Sequence, residues 1–161
     1  FNLLLSLKIM AIHCLALLLL ALALCPIQPG AAQSSPDLPN FHQVHDFLYR
    51  GGEPTHDGRE KVCKMGIKTI INLRATKAPS EEQVKTFIET VEEGRHSKQP
   101  VFLHCAHGSD RTGCLIGIWR VTHDNYSYKD AYSEMLRYYF GPQFKELAAS
   151  VRARSLTLRQ H

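Results

Sequence analysis

At 161 residues, with 44% hydrophobic and 21% charged side chains, the chain holds one ordinary globular domain and has no room for a second full-sized one. That composition excludes a disordered, collagenous or coiled-coil protein. Its 19 Lys and Arg against 15 Asp and Glu leave a net charge of +4 without a basic run, which excludes a nucleic-acid-binding surface as the function.

From Ile9 to Cys25 the sequence is almost unbroken Leu, Ala and Ile, preceded by Lys8 and followed by Pro26, Pro29, Gly30, Ala31 and Ala32. A positive residue, a short apolar stretch, a helix breaker and small residues form the layout of a secretory signal peptide over residues 1–32. Export to a periplasm or to the exterior is the expectation, and mass spectrometry of the exported protein should find Gln33 at its N-terminus; an intact leader would refute this. The competing expectation is an uncleaved leader that tethers the protein to a membrane, although the run falls just short of the roughly 20 apolar residues that a spanning helix needs. Acylation at Cys25 is disfavoured by Leu24, where a small residue would be wanted. With Cys14 and Cys25 in the leader, Cys63, Cys105 and Cys114 remain, an odd number that argues for at least one free thiol.

Residues 33–40 are rich in Ser, Pro and Asp and form the expected linker to a domain over 41–154, with 155–161 as a tail. Phe47 to Arg50 is a short strand closed by Gly51-Gly52. A helix follows from Thr55, its N-cap, to Met65, with Val62 and Met65 on its apolar face and Gly66 as the stop. Ile67 to Leu73 has the composition of a buried strand. Ser80 and Gln83 form a capping box ahead of Val84, Phe87, Ile88 and Val91, spaced for one helix face, and Gly94 ends the helix. Val101 to His104 is a second buried strand, which makes a βαβ unit and a parallel sheet. A helix apolar nearly all round runs from Arg111 to His123. Two more follow, from the cap Ser127 to about Phe140, and from Pro142 through Phe144, Leu147 and Val151. The fold class is α/β, a small sheet containing parallel strands flanked by helices.

The chemistry concentrates in His104-Cys105-Ala106-His107-Gly108-Ser109-Asp110-Arg111-Thr112-Gly113, between a buried strand and a buried helix. A loop folded tightly there turns its backbone N–H groups into one hollow, and the helix N-terminus adds partial positive charge, so the hollow suits a phosphate dianion. The same field lowers a thiol pKa from about 8.5 into a range of roughly 3.5 to 7.5, making Cys105 a thiolate. Arg111, six positions on, presents a planar fork to two phosphoryl oxygens. Gly108 permits the turn, and Gly113 lets the helix approach its neighbour. His104, Cys105 and His107 as metal ligands lack a second ligand pair at zinc-like spacing. Cys63 and Cys114 read as core residues.

This segment resembles the signature loop of the cysteine-dependent protein tyrosine and dual-specificity phosphatases, Cys-x5-Arg followed by Ser or Thr. Phe47 to Gly52, Gly66 to Arg74 and the helix around Trp119-Arg120-Val121 resemble the exported bacterial members of the compact dual-specificity group, so that the likeness covers roughly 41 to 150. It implies a dual-specificity-phosphatase-like fold, with Cys105 as nucleophile, Arg111 as phosphate clamp, Thr112 as a hydroxyl near the thiolate, and Ala106, His107, Gly108, Ser109 and Asp110 as the phosphate cradle. It implies a monomer that acts on a phosphorylated protein or small phosphomonoester, without cofactor or metal, without nucleic acid, and without stable membrane insertion once the leader is cleaved. In the family another core strand and a loop bearing a general-acid Asp normally follow the strand ending like Asn72-Leu73-Arg74. Here Ala75 to Ala78 lead straight into the next helix, so the expected fold lacks one core strand of the family; either the acid went with it or Asp110 supplies it. The alternative function is a phosphate-binding pseudophosphatase that has lost turnover with that segment.

Overall fold

The computed structural model describes residues 34–73 and 78–157; the leader and the junction 74–77, where the shortened segment was expected, lie outside them. Among the described residues the elements are β1 (His42–His45), β2 (Leu48–Gly51), α1 (His56–Lys64), β3 (Thr69–Asn72), α2 (Glu81–Ser97), β4 (Val101–His104), α3 (Asp110–His123), α4 (Tyr128–Arg137) and α5 (Lys145–Thr157). The strands form one sheet in the order β1-β2-β4-β3. β1 is antiparallel to β2, while β2 and β3 both run parallel to β4. No described helix is long and apolar enough to cross a membrane.

β4 lies between β2 and β3, and all four of its residues are buried. Side chains alternate across a strand, so Val101 and Leu103 join the helical side with α2 to α5, while Phe102 joins Leu38, Phe41, Val62 and Ile67 on the other face. Leu38 comes from the expected linker: with only 5% of its surface exposed it seals that second core, and Gly52 N–H donates to Pro39 C=O at 2.7 Å. At the other end α5 continues to Thr157, and Ser155 is buried within it.

Several local expectations shift for identifiable reasons. Thr55 caps α1 through the Gly58 N–H, yet Met65 is 42% exposed because the helix ends before it and Gly66 turns away with φ +82°. β3 is half-exposed, since it lies at the sheet edge. α2 carries the capping box but passes through Gly94 to a left-handed C-cap at Lys98. Gly94 instead serves a close approach: a Cβ there would lie 2.7 Å from Val101 Cγ2 and 2.8 Å from the Gln99 carbonyl. Pro142 precedes α5, which starts only at Lys145, and α4 stops at Arg137. β1 was not expected at all; its pattern His-Gln-Val-His lacks the apolar alternation that marks a strand.

α3 packs against α4, α5, α2 and the sheet, so it is buried on every side, as its composition requires. Trp119 anchors it among Phe47 at 5.9 Å, Phe87 at 6.3 Å and a stacked His123 at 4.0 Å, contacts of about 0.5–1.5 kcal/mol each beyond their buried area. The sheet therefore presents the C-terminal ends of its three parallel strands beside the start of a rigid central helix.

Candidate active site

β4 ends at His104 and α3 begins at Asp110, so residues 105–109 must reverse the chain in five positions. Gly108 makes this turn with φ +76°, a left-handed conformation. A Cβ on Gly108 would lie 2.3 Å from the Gly51 carbonyl carbon, and one on Gly52 would lie 3.0 Å from the Ala106 oxygen. The loop therefore rests on the glycine pair that ends β2, held by Glu53 N–H to Ala106 C=O at 3.1 Å and Thr112 hydroxyl to Gly51 C=O at 3.4 Å. Gly108→Ala should cost at least about 1–3 kcal/mol from backbone strain, seen as a lower urea midpoint, because the neighbouring backbone has no room to yield.

Cys105 sits at the base of this turn, 5% exposed, and its Sγ accepts the Gly108 N–H at 3.3 Å. Burial pushes the thiol up, but the Thr112 hydroxyl and the backbone N–H groups of Thr112, Gly108 and His107 outweigh it and hold its pKa below the ordinary cysteine value. Thr55, Ser80 and Ser127 cap the N-termini of α1, α2 and α4, whereas Ser109 makes no side-chain cap to α3. The first amides of α3 are thus left to the loop and to an incoming anion.

Arg111, half-buried, donates from Nη1 to the Leu73 carbonyl at 3.1 Å, which ties its fork to the end of β3. The cleft above Cys105 has a volume of about 450 Å³; Ala106, His107, Asp110 and Arg111 form one side, and Gln143, Phe144 and Lys145 belong to the other. Ala106 and His107 are exposed at the rim, while Thr112 and Ser109 are buried. His104 is buried behind the loop, with Nδ1 3.3 Å from the Cys105 carbonyl. Asp110 has both oxygens engaged: Oδ1 accepts Gly141 N–H at 2.8 Å and Oδ2 accepts the Ser109 hydroxyl at 3.0 Å. It anchors the turn ahead of α5 to the loop.

The three described cysteines are unpaired. Cys114 is a core residue whose thiol burial pushes up to about 12, while Cys63 is exposed on α1 rather than in the core. Two features of the site were not anticipated. The wall from Gln143 to Leu147 is distant in sequence and has no motif. Arg50 contributes beneath the loop, and its signal was present: it occupies the same face of β2 as Leu48, where an apolar residue is the norm.

Residues 75–152 match the family model described as "DSP-PTPase phosphatase fused to NAD+ Kinase". The chain is 28% identical over 115 residues to probable NAD kinase 2, chloroplastic, of Oryza sativa subsp. japonica, covering 53% of this chain and 12% of that protein. It is 23% identical over 149 residues to dual specificity protein phosphatase TpbA of Pseudomonas aeruginosa, covering 79% of this chain and 68% of the other. The crystal structure of P. aeruginosa TpbA superimposes with a TM-score of 0.65 at 18% identity, over 82% of this chain and 98% of that one. A structure of the same protein in complex with pTyr gives a TM-score of 0.64 at 16% identity, over 84% of this chain and 100% of that one. The fold is that of the dual-specificity phosphatases.

Proposed function

We propose that this chain, with the dual-specificity phosphatase fold, hydrolyses phosphomonoesters through a phosphocysteine formed on Cys105, most readily those of tyrosine. The observation that carries this reading is the Cys105 thiol held below its ordinary pKa by convergent N–H donors, six residues ahead of Arg111 at the mouth of an open cleft. The cradle that lowers the thiol pKa also receives the phosphoryl oxygens, so ligand binding and nucleophile activation share one set of dipoles.

In the first step the Cys105 thiolate attacks phosphorus, the S–P bond forms as the P–O bond to the leaving group breaks, and the electron pair departs with that oxygen. Arg111 holds two non-bridging oxygens while the loop amides balance the charge on the transferring group. In the second step a water oxygen attacks phosphorus, releasing inorganic phosphate and returning the electron pair to sulfur. Export of the mature chain and action on a phosphorylated protein or small phosphomonoester complete the reading. The support for a tyrosine-directed activity is the likeness to TpbA, a structure of which holds pTyr.

The test is steady hydrolysis of an aryl phosphate by the purified protein, with acid-quenched mass spectrometry locating one phosphoryl group on the Cys105 peptide. The pseudophosphatase alternative draws support from Asp110, whose two oxygens are committed to structural bonds. It requires phosphate binding with no turnover and no phosphopeptide, and that result would replace the present reading.

A further inference from the structure

Arg50 is fully buried, and the two steps above do not use it. Its Nη2 donates to the Gly108 carbonyl at 2.8 Å, and its guanidinium lies over the Tyr138 ring, 4.3 Å from the centroid. Nε and Nη1 have no hydrogen-bond partner among the described residues. The carboxylate that acts on it, Glu134, is already engaged by Arg120 at 2.9 and 3.1 Å. Burial lowers its pKa to about 10, against the charges of Glu134, Tyr138 and Cys105, so it remains a cation at neutral pH. A buried cation with two idle donor nitrogens is a liability to the fold, and an apolar side chain on this face of β2 would be expected if packing alone decided the position.

The contact with Gly108 gives it a task. A trans peptide carries its C=O and N–H on opposite sides, so a donor that holds the Gly108 carbonyl from inside the fold turns the Ser109 N–H outward, toward the anion site. The same bond steadies Gly108, whose own N–H meets Cys105 Sγ. We propose that Arg50 is a positioning residue for the cradle: it locks the Gly108–Ser109 peptide with its N–H toward the phosphate and places a positive charge behind Cys105 and the bound anion. This rests on the proposed phosphatase reading and deepens it, since it assigns the rigidity of the empty cradle to one side chain outside the signature loop.

The test compares the native protein with Arg50→Met and Arg50→Lys in three measurements: the pH dependence of iodoacetamide alkylation of Cys105, the affinity for inorganic phosphate, and thermal unfolding. Arg50→Met should fold without loss of thermal midpoint, raise the alkylation midpoint by about one pH unit and weaken phosphate binding about tenfold. Arg50→Lys, which keeps the charge and a single donor, should return the alkylation midpoint toward the native value and recover part of the affinity. An Arg50→Met protein that fails to fold, or that folds with both the alkylation midpoint and phosphate affinity unmoved, overturns the proposal and makes Arg50 a packing residue. Loss of the hydrolytic reading would show separately, as a native protein that binds phosphate without turnover while the alkylation shift persists.

Discussion

Cys105→Ser is expected to lower kcat on an aryl phosphate by on the order of 10⁴-fold or more while phosphate binds as well as, or better than, in the native protein. The asymmetry follows from the division of labour in the site. A serine hydroxyl at neutral pH offers no anionic nucleophile, whereas the N–H groups of His107, Gly108 and Thr112 that converge on Sγ are backbone donors and survive the exchange. Removing the thiolate also removes a negative charge from the anion's neighbourhood. Peroxide should inactivate the native protein, with recovery on adding a thiol, because Cys105, the proposed nucleophile, has a thiol of lowered pKa and lines the cleft. EDTA should leave the rate unchanged, since Arg111 and the amides supply the positive charge. Retained turnover in the serine variant, or loss with EDTA, would sink the mechanism.

The second expectation concerns the leaving group. No carboxylic acid among the described residues is placed in the cleft as a donor without prior commitment to structure, apart from the solvent-exposed Glu146 at its wall, and Asp110 is bonded through both oxygens. With Asp110 committed to structural bonds and Glu146 turned to solvent rather than held toward the cleft base, the leaving group is expected to depart as its anion, so the rate should fall steeply as that group becomes more basic. Phosphotyrosine peptides, whose leaving oxygen has a pKa near ~10, should outrun phosphoserine peptides by several orders of magnitude. The pH profile should rise with thiol ionisation and then lack the alkaline limb that deprotonation of a donor creates. Asp110→Asn keeps an oxygen to accept the Gly141 N–H and should leave the shape of that profile unchanged. Equal rates on the two peptides would show that an acid does serve the leaving group, and an alkaline limb that Asp110→Asn alone removes would identify that acid as Asp110.

How much of the site was legible from sequence depended on whether its parts lay together in the chain. The loop from Cys105 to Thr112 is contiguous: one strand end, one tight turn at Gly108 and one helix start place its members side by side in the chain, while Gly51, Gly52 and Arg50 only hold that turn in place. The caps Thr55, Ser80 and Ser127 were legible for the same reason, since a side-chain oxygen reaching an N–H three residues on depends only on nearby residues. Gly94 was misjudged as a helix stop because a glycine demanded by close packing and a glycine that ends a helix look alike in sequence; only the Val101 side chain beside it decides.

By itself the sequence determined the α/β class, the parallel β3–α2–β4 unit and the burial of α3, all properties carried by short-range periodicity, and it singled out the contiguous loop from Cys105 to Arg111 as the candidate site. Tertiary structure decided the rest. It set β4 between β2 and β3 and put β3 at the edge, so that one apolar strand became fully buried and the other half-exposed. It brought Gln143 to Leu147 over Cys105, committed Asp110 to Gly141, and slid Arg50 under the Gly108 carbonyl from 58 residues away. The physical reason is common to these: strand order and helix docking follow from which apolar faces bury against each other across the chain, and a one-dimensional pattern records the faces without recording their partners.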